Sequence, residues 1–203
     1  MPTSFTVTNE ADLNNAIQQI DLTGGSSVTN TAYTITFGAG LTGANALQLT
    51  SDLDAINLAS GDTLTIDGGG AEMTGLGDQR GFFVYSGAVT INDLTIENAV
   101  ATGGTGGPGG GGGAGLGGGL FVASAGVVTL NGVSFQSDAA VGGSGGDGDL
   151  GAGGGLGGAG GTEGGGGGGI GSGAPGGSEE AAGGAGIVLG ASSGGAGADG
   201  GQG

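Results

Sequence analysis

The chain has 203 residues, of which 61 are glycine, and its single basic residue, Arg80, stands against 18 acidic ones for a net charge of −17. A field of that sign repels nucleic acid and anionic lipid, which excludes both as partners. With no cysteine and no histidine, disulfides, thiol chemistry and a His/Cys zinc site are excluded as well.

No apolar run approaches the roughly 20 residues that span a bilayer. Met1-Pro2-Thr3-Ser4 has neither a basic start nor an apolar stretch, so no N-terminal signal peptide is visible. The acidic, lysine-free, Gly/Thr/Ala-rich composition reads as bacterial and extracellular or cell-surface. Most glycines lie after residue 102. Collagen is ruled out, because there are only 3 prolines and the glycines come in pairs and longer runs.

Residues 4–8 alternate and predict a short strand. Asn9 is placed to cap a helix, with Glu10 and Asp12 in the first turn where the helix dipole favours acids. Leu13, Ala16, Ile17 and Ile20 share one face of it. Together these form an expected cap over residues 1–32. From Tyr33 short strand patterns follow: Tyr33-Thr34-Ile35-Thr36-Phe37, Ala46-Leu47-Gln48-Leu49, Ala55-Ile56-Asn57-Leu58 and Thr63-Leu64-Thr65-Ile66-Asp67.

A tandem repeat organises what comes next. Gly81-Phe82-Phe83-Val84 followed by Val89-Thr90-Ile91-Asn92 is answered by Gly119-Leu120-Phe121-Val122 followed by Val128-Thr129-Leu130-Asn131. A third copy is expected to begin at Gly186-Ile187-Val188-Leu189 and then stop. Each copy reads as three short strands with corners between them, about 20 residues per coil. Inward Val, Ile, Leu and Phe stack on those of the next coil.

These strands and repeats resemble the right-handed parallel β-helix of pectate-lyase-like proteins, and more closely the large secreted adhesin-like and autotransporter-like proteins of bacteria. The resemblance implies an all-β, right-handed parallel β-helix (solenoid) over residues 33–141, with a short N-terminal capping helix. It also implies surface attachment, an extracellular matrix role or, in other branches, polysaccharide cleavage.

Two glycine-rich inserts, 103–118 and 142–185, follow equivalent points of the repeat, and 186–203 is read as a further coil start with a glycine-rich tail. Gly103-Gly104-Thr105-Gly106-Gly107-Pro108 and Gly142-Gly143-Ser144-Gly145-Gly146-Asp147 have a Gly-Gly-X period of three. Polyproline II also repeats every three residues, so two of its three ridges would be bare glycine, open to close packing and backbone hydrogen bonds. A lone segment would not order, because fixing each residue costs about 1–2 kcal/mol and a hydrogen bond returns only about 0.5–1.5 kcal/mol. The segments are therefore either flexible linkers or a bundle of polyglycine II-like segments that order one another.

Candidate chemistry is sparse. Asp67, Asp78 and Arg80 are close in sequence and read as a structural ion-pair group. Asp52 and Asp54 resemble a glycosidase pair but sit two apart in a polar loop. Asp147 and Asp149 are calcium candidates, because residues 142–150 approach the Gly-Gly-x-Gly-x-Asp-x-U-x repeat. Asp149 takes the place of the large apolar residue. A second start of the motif lies at Gly194–Asp199. No other cofactor is expected. The Thr-x-Thr pairs Thr6/Thr8, Thr34/Thr36 and Thr63/Thr65 suggest the threonine arrays of ice-binding proteins, but ordinary strand preference accounts for them.

The expected function is a non-enzymatic extracellular structural or adhesive protein that assembles into a filament or matrix. Its expected partners are other copies of itself, through Gly186, Ile187, Val188 and Leu189, and cell-surface glycans. The alternatives are a fragment of a large adhesin, an ice-binding protein and a polysaccharide-active enzyme.

Overall fold

The structure, a computed structural model, describes residues 2–25, 28–149, 151–162, 166–178 and 182–189. The chain opens with strand β1 (Ser4–Val7) and helix α1 (Glu10–Ile20). The Asn9 side chain caps α1 by accepting the Asp12 amide at 3.0 Å. The Asp12 carboxylate reaches back to the Thr8 amide at 3.1 Å and the Thr8 hydroxyl at 2.8 Å, so each end of this capping arrangement satisfies the other. Leu13, Ala16, Ile17 and Ile20 are all buried, which makes α1 the cover of one end of the core.

Strand β2 (Ala32–Phe37) is followed by a 3-10 turn (Gly43–Asn45), β3 (Leu47–Gln48) and β4 (Ile56–Asn57). Long strands come next: β5 (Thr63–Thr74), β6 (Phe82–Glu97) and, after β7 (Val100–Thr102), β8 (Leu120–Asn131). Two short strands, β9 (Ser134–Gln136) and β10 (Ala139–Val141), complete the described set.

Eight strands form one sheet along the path β1-β2-β5-β6-β4, with β3 on β5 and with β8 and β9 on β6; β7 and β10 form a separate pair. All named pairings in the larger sheet are parallel. The tandem repeat lies beside itself: Phe82 pairs with Leu120, and after one extra residue Ser86 pairs with Ala125 and Asn92 with Asn131.

The expected all-β, right-handed parallel β-helix is corrected by this architecture. The described residues give a mostly parallel eight-stranded sheet with one short helix and a 3-10 turn, and no solenoid is identified. The physical reason lies at the expected corners. β6 runs sixteen residues without interruption. It absorbs Gly87 (φ 98°) and Asp93 (φ 45°), both left-handed, inside one strand instead of breaking there. The register shift between Val84 and Ser86 takes up the extra residue as an irregularity of the ladder.

The chain divides into two units. The first comprises Met1–Val100 with Gly117–Ala139, and the second comprises Ala101–Leu116 with Ala140–Gly203. The core of the first is built in columns across the parallel ladder. Ile35, Ile66 and Ile91 are successive partners and are all 0% exposed. Leu64 and Val89 form a neighbouring column, and Met73 and Ile96 a third. Fully burying each such side chain contributes about 1.5–3 kcal/mol.

The second unit is held differently. Among its described residues the buried hydrophobic ones are Ala101, Ala174 and Ile187 alone. The expected inserts 103–118 and 142–185 fall largely within this unit, and the strands that precede them, β7 and β10, pair with each other.

Candidate assembly surfaces

Three buried columns of the first unit end on β8 or β9. Ile91 pairs with Leu130, Val84 with Val122 and Ile96 with Phe135. Their exposures break sharply at this last step: Ile91, Val84 and Ile96 are 0% exposed, whereas Leu130 is 42%, Val122 37% and Phe135 43%. β8 is hydrogen-bonded to β6 and to no other strand among the described residues, and its outer row of backbone groups pairs with none of them. This twelve-residue edge is neutral as well as apolar. No charged residue occurs between Glu97 and Asp138.

Asp138 closes that neutral span. One carboxylate oxygen accepts the Ala99 amide at 2.8 Å. Burial pushes its pKa up, the Ala99 amide pulls it down, and the charge of Glu97 adds to the upward push.

The opposite end is finished in another way. β1 has only four residues, and α1 buries its apolar face there. Glu10 ties the helix start to the loop ahead of β4. Its two oxygens accept the Thr50 hydroxyl at 2.6 Å and amide at 2.9 Å, and the Ser51 hydroxyl at 2.5 Å and amide at 2.9 Å. Burial alone would raise the Glu10 pKa, but the Ser51 and Thr50 hydroxyls and amides outweigh it and hold the group below the usual carboxylate range.

In the second unit, backbone hydrogen bonds between segments outside the larger sheet recur every three residues. Gly103 and Gly106 donate to Val141 and Ser144, a parallel pairing. Gly104 and Gly107 donate to Gly155 and Ala152, an antiparallel one. Gly143 and Gly146 donate to Gly113 and Gly110, and Gly168 and Gly171 to Gly153 and Leu156. Several faces of one segment are thus engaged at once, as a three-fold helix with bare ridges permits. Backbones approach so closely that a methyl group on Gly104 would collide with the Gly158 carbonyl, and one on Gly112 with the Gly143 carbonyl. Gly111, in the same run, faces open space.

The residues singled out from sequence are distributed as follows. Asp147 and Asp149 are exposed in bends, and among the described residues no group of three or more acidic side chains gathers to hold a metal. The motif start at Gly194–Asp199 lies outside the described residues, as does the tail 190–203. Gly186-Ile187-Val188-Leu189 forms no strand; Ile187 is 8% exposed, and its amide donates to the Ile170 carbonyl at 3.1 Å.

Arg80 is buried with its guanidinium 6.0 Å from the centre of the Phe83 ring. Burial lowers its pKa, opposed by the charge of Asp52 rather than of Asp67 or Asp78. Asp54 is drawn to α1, accepting Gln18 Nε2 at 2.7 Å while its own amide donates to Asn14 at 2.8 Å. Asp52 and Asp54 therefore serve different neighbours.

Thr34, Thr65, Thr90 and Thr129 align in one row across β2, β5, β6 and β8. The adjacent row runs Thr6, Thr36, Asp67, Asn92 and Asn131, so it loses its hydroxyls partway. Asn131 donates to Asn92 at 2.9 Å across that row.

Comparison with protein-family models, with curated proteins and with solved structures finds no match to this chain. No helix among the described residues is long and apolar enough to cross a membrane. The surface that sequence reading missed is the β8–β9 edge. Its signal was present in the charge-free span from 98 to 137, which stands out in a chain of net charge −17.

Proposed function

We propose that this chain is a structural or adhesive module, extracellular and bacterial, that acts by associating with other copies of itself in a filament or matrix. One observation carries the reading: the core columns run out into a neutral, apolar strand edge at Leu120–Gln136, which no further strand covers among the described residues, in a chain that is otherwise strongly acidic. Unpaired edges template association. Acidic surface elsewhere disfavours wrong contacts and favours association at this edge. The glycine-rich unit supplies a second body held by backbone bonds, a construction that suits a mechanical or spacing role more than a binding cleft.

Electron microscopy and sedimentation of the purified protein test the reading over a range of salt and calcium concentrations. Species larger than the 18.3 kDa monomer are expected. Dispersed monomers under every condition would contradict it.

A further inference from the structure

The self-association proposed above has a specific geometry built into the first unit. We infer that two copies join edge to edge through β8, antiparallel about a two-fold axis, with Leu130, Val122 and Phe135 of each copy covering the open core end of the other. The inference rests on the self-assembly reading and deepens it by naming the surface and the symmetry.

Three observations converge. First, the unfinished columns all point to one place. Leu130, Val122 and Phe135 are the partners of fully buried Ile91, Val84 and Ile96, yet remain 42%, 37% and 43% exposed. The same positions one strand earlier show what a covered state looks like.

Second, the two ends of the first unit differ. At the β1 end, α1 buries Leu13, Ala16, Ile17 and Ile20 over the core, and β1 itself is four residues long. A head-to-tail contact would have to seat an open apolar end on a covered one. An edge-to-edge contact matches like with like, and a self-complementary contact of this kind closes at two copies.

Third, charge selects the surface. Two chains of net charge −17 repel, and the repulsion is weakest where the charge-free stretch from 98 to 137 is exposed. Two-fold symmetry then makes the paired strands antiparallel, so the outer N–H and C=O groups of β8 exchange bonds with the same strand of the second copy. A larger polymer would need another contact elsewhere on the molecule.

The test is sedimentation and light scattering of the full chain at about 0.05 and 0.5 M salt, the Debye length shrinking severalfold over that range. The variants are Leu130→Glu and Phe135→Glu at the edge and Leu22→Glu as a control, Leu22 being 54% exposed beyond the end of α1. Circular dichroism confirms that each variant is folded. Wild type and Leu22→Glu are expected to reach twice the 18.3 kDa monomer mass, more completely at the higher salt, while both edge variants stay monomeric.

The chain has no native cysteine, so engineered single cysteines along β8 give a second readout. A two-fold antiparallel edge links a cysteine near the axis to its own copy in high yield and leaves one near either end of the strand unlinked.

Dimers that survive Leu130→Glu and Phe135→Glu would overturn the edge while leaving self-association standing. Cross-linking yield that is equal all along β8, or open polymers that the edge variants do not abolish, would overturn the two-fold geometry. Wild-type monomers at both salts would overturn the underlying reading itself.

Discussion

Gly104→Ala is expected to open the glycine-rich unit, whereas Gly111→Ala, only seven positions away in the same run, is expected to leave it intact. A methyl on Gly104 meets the Gly158 carbonyl, and one on Gly154 meets the Gly104 carbonyl; one on Gly111 meets nothing within 4 Å. Neighbouring segments cannot yield by a side-chain rotation, because the obstacle is backbone. Forcing them apart breaks the Gly104–Gly155 and Gly113–Gly104 hydrogen bonds, which are 3.0 and 2.8 Å long. The cost combines overpacking of about 1–3 kcal/mol with about 0.5–1.5 kcal/mol for each bond lost. The unit buries few apolar side chains, so little else offsets that loss. Gly111→Ala should fall within about 0.5 kcal/mol of wild type. Amide exchange of the 103–118 segment in the two variants is the measurement. Equal exchange in both would mean that the close approaches do not hold the unit together.

The second large effect belongs to the other unit. Ile91→Ala removes the centre of the Ile66–Ile91–Leu130 column, where Ile91 is fully buried. A loss of about 2–5 kcal/mol is expected in chemical denaturation, which combines transfer free energy with the cavity left behind. Leu130→Ala, at the open end of the same column and 42% exposed, should cost under about half as much in the monomer. That gradient between adjacent rungs follows from the columns ending at β8. Similar losses at both positions would place Leu130 inside a covered core and remove the basis for an open edge.

Much of the first unit was legible because side chains carried the signal. Helical spacing of Leu13, Ala16, Ile17 and Ile20, with Asn9 ahead of them, suffices to locate α1 and its buried face. Alternation marked β2, and the tandem repeat marked two segments that prove to be direct partners. Strand length was not legible. Ser86-Gly87 and Asn92-Asp93 look like corners, yet a left-handed residue inside a parallel ladder can be a local irregularity, as Gly87 and Asp93 are. Nothing local distinguishes the two outcomes, since the deciding bonds come from strands far away in sequence.

The apolar tetrad at 186–189 poses a related problem. Gly186-Ile187-Val188-Leu189 has the composition of a strand start, but short apolar tetrads do not declare their partners, and Ile187 instead fills a small apolar site within the glycine-rich unit. In that unit the period of three was visible, whereas the pairing was not. One glycine is identical to the next, so a sequence cannot say that Gly107 bonds to Ala152 rather than to another carbonyl. The side chains that normally encode register are missing.

The central claim is that a glycine-rich segment can be a built body, held by its own backbone hydrogen bonds, rather than a tether. Residue-resolved amide hydrogen exchange on the wild-type chain tests it most directly. The bonded amides of Gly104, Gly107, Gly113, Gly143 and Gly154 are predicted to exchange at least about tenfold more slowly than an unstructured glycine, equivalent to about 1.4 kcal/mol of local opening energy. The Gly111 and Gly142 amides, which donate to no backbone carbonyl among the described residues, should exchange faster than these five. Uniform exchange at the unstructured rate across residues 103–118 and 142–149 would contradict the account.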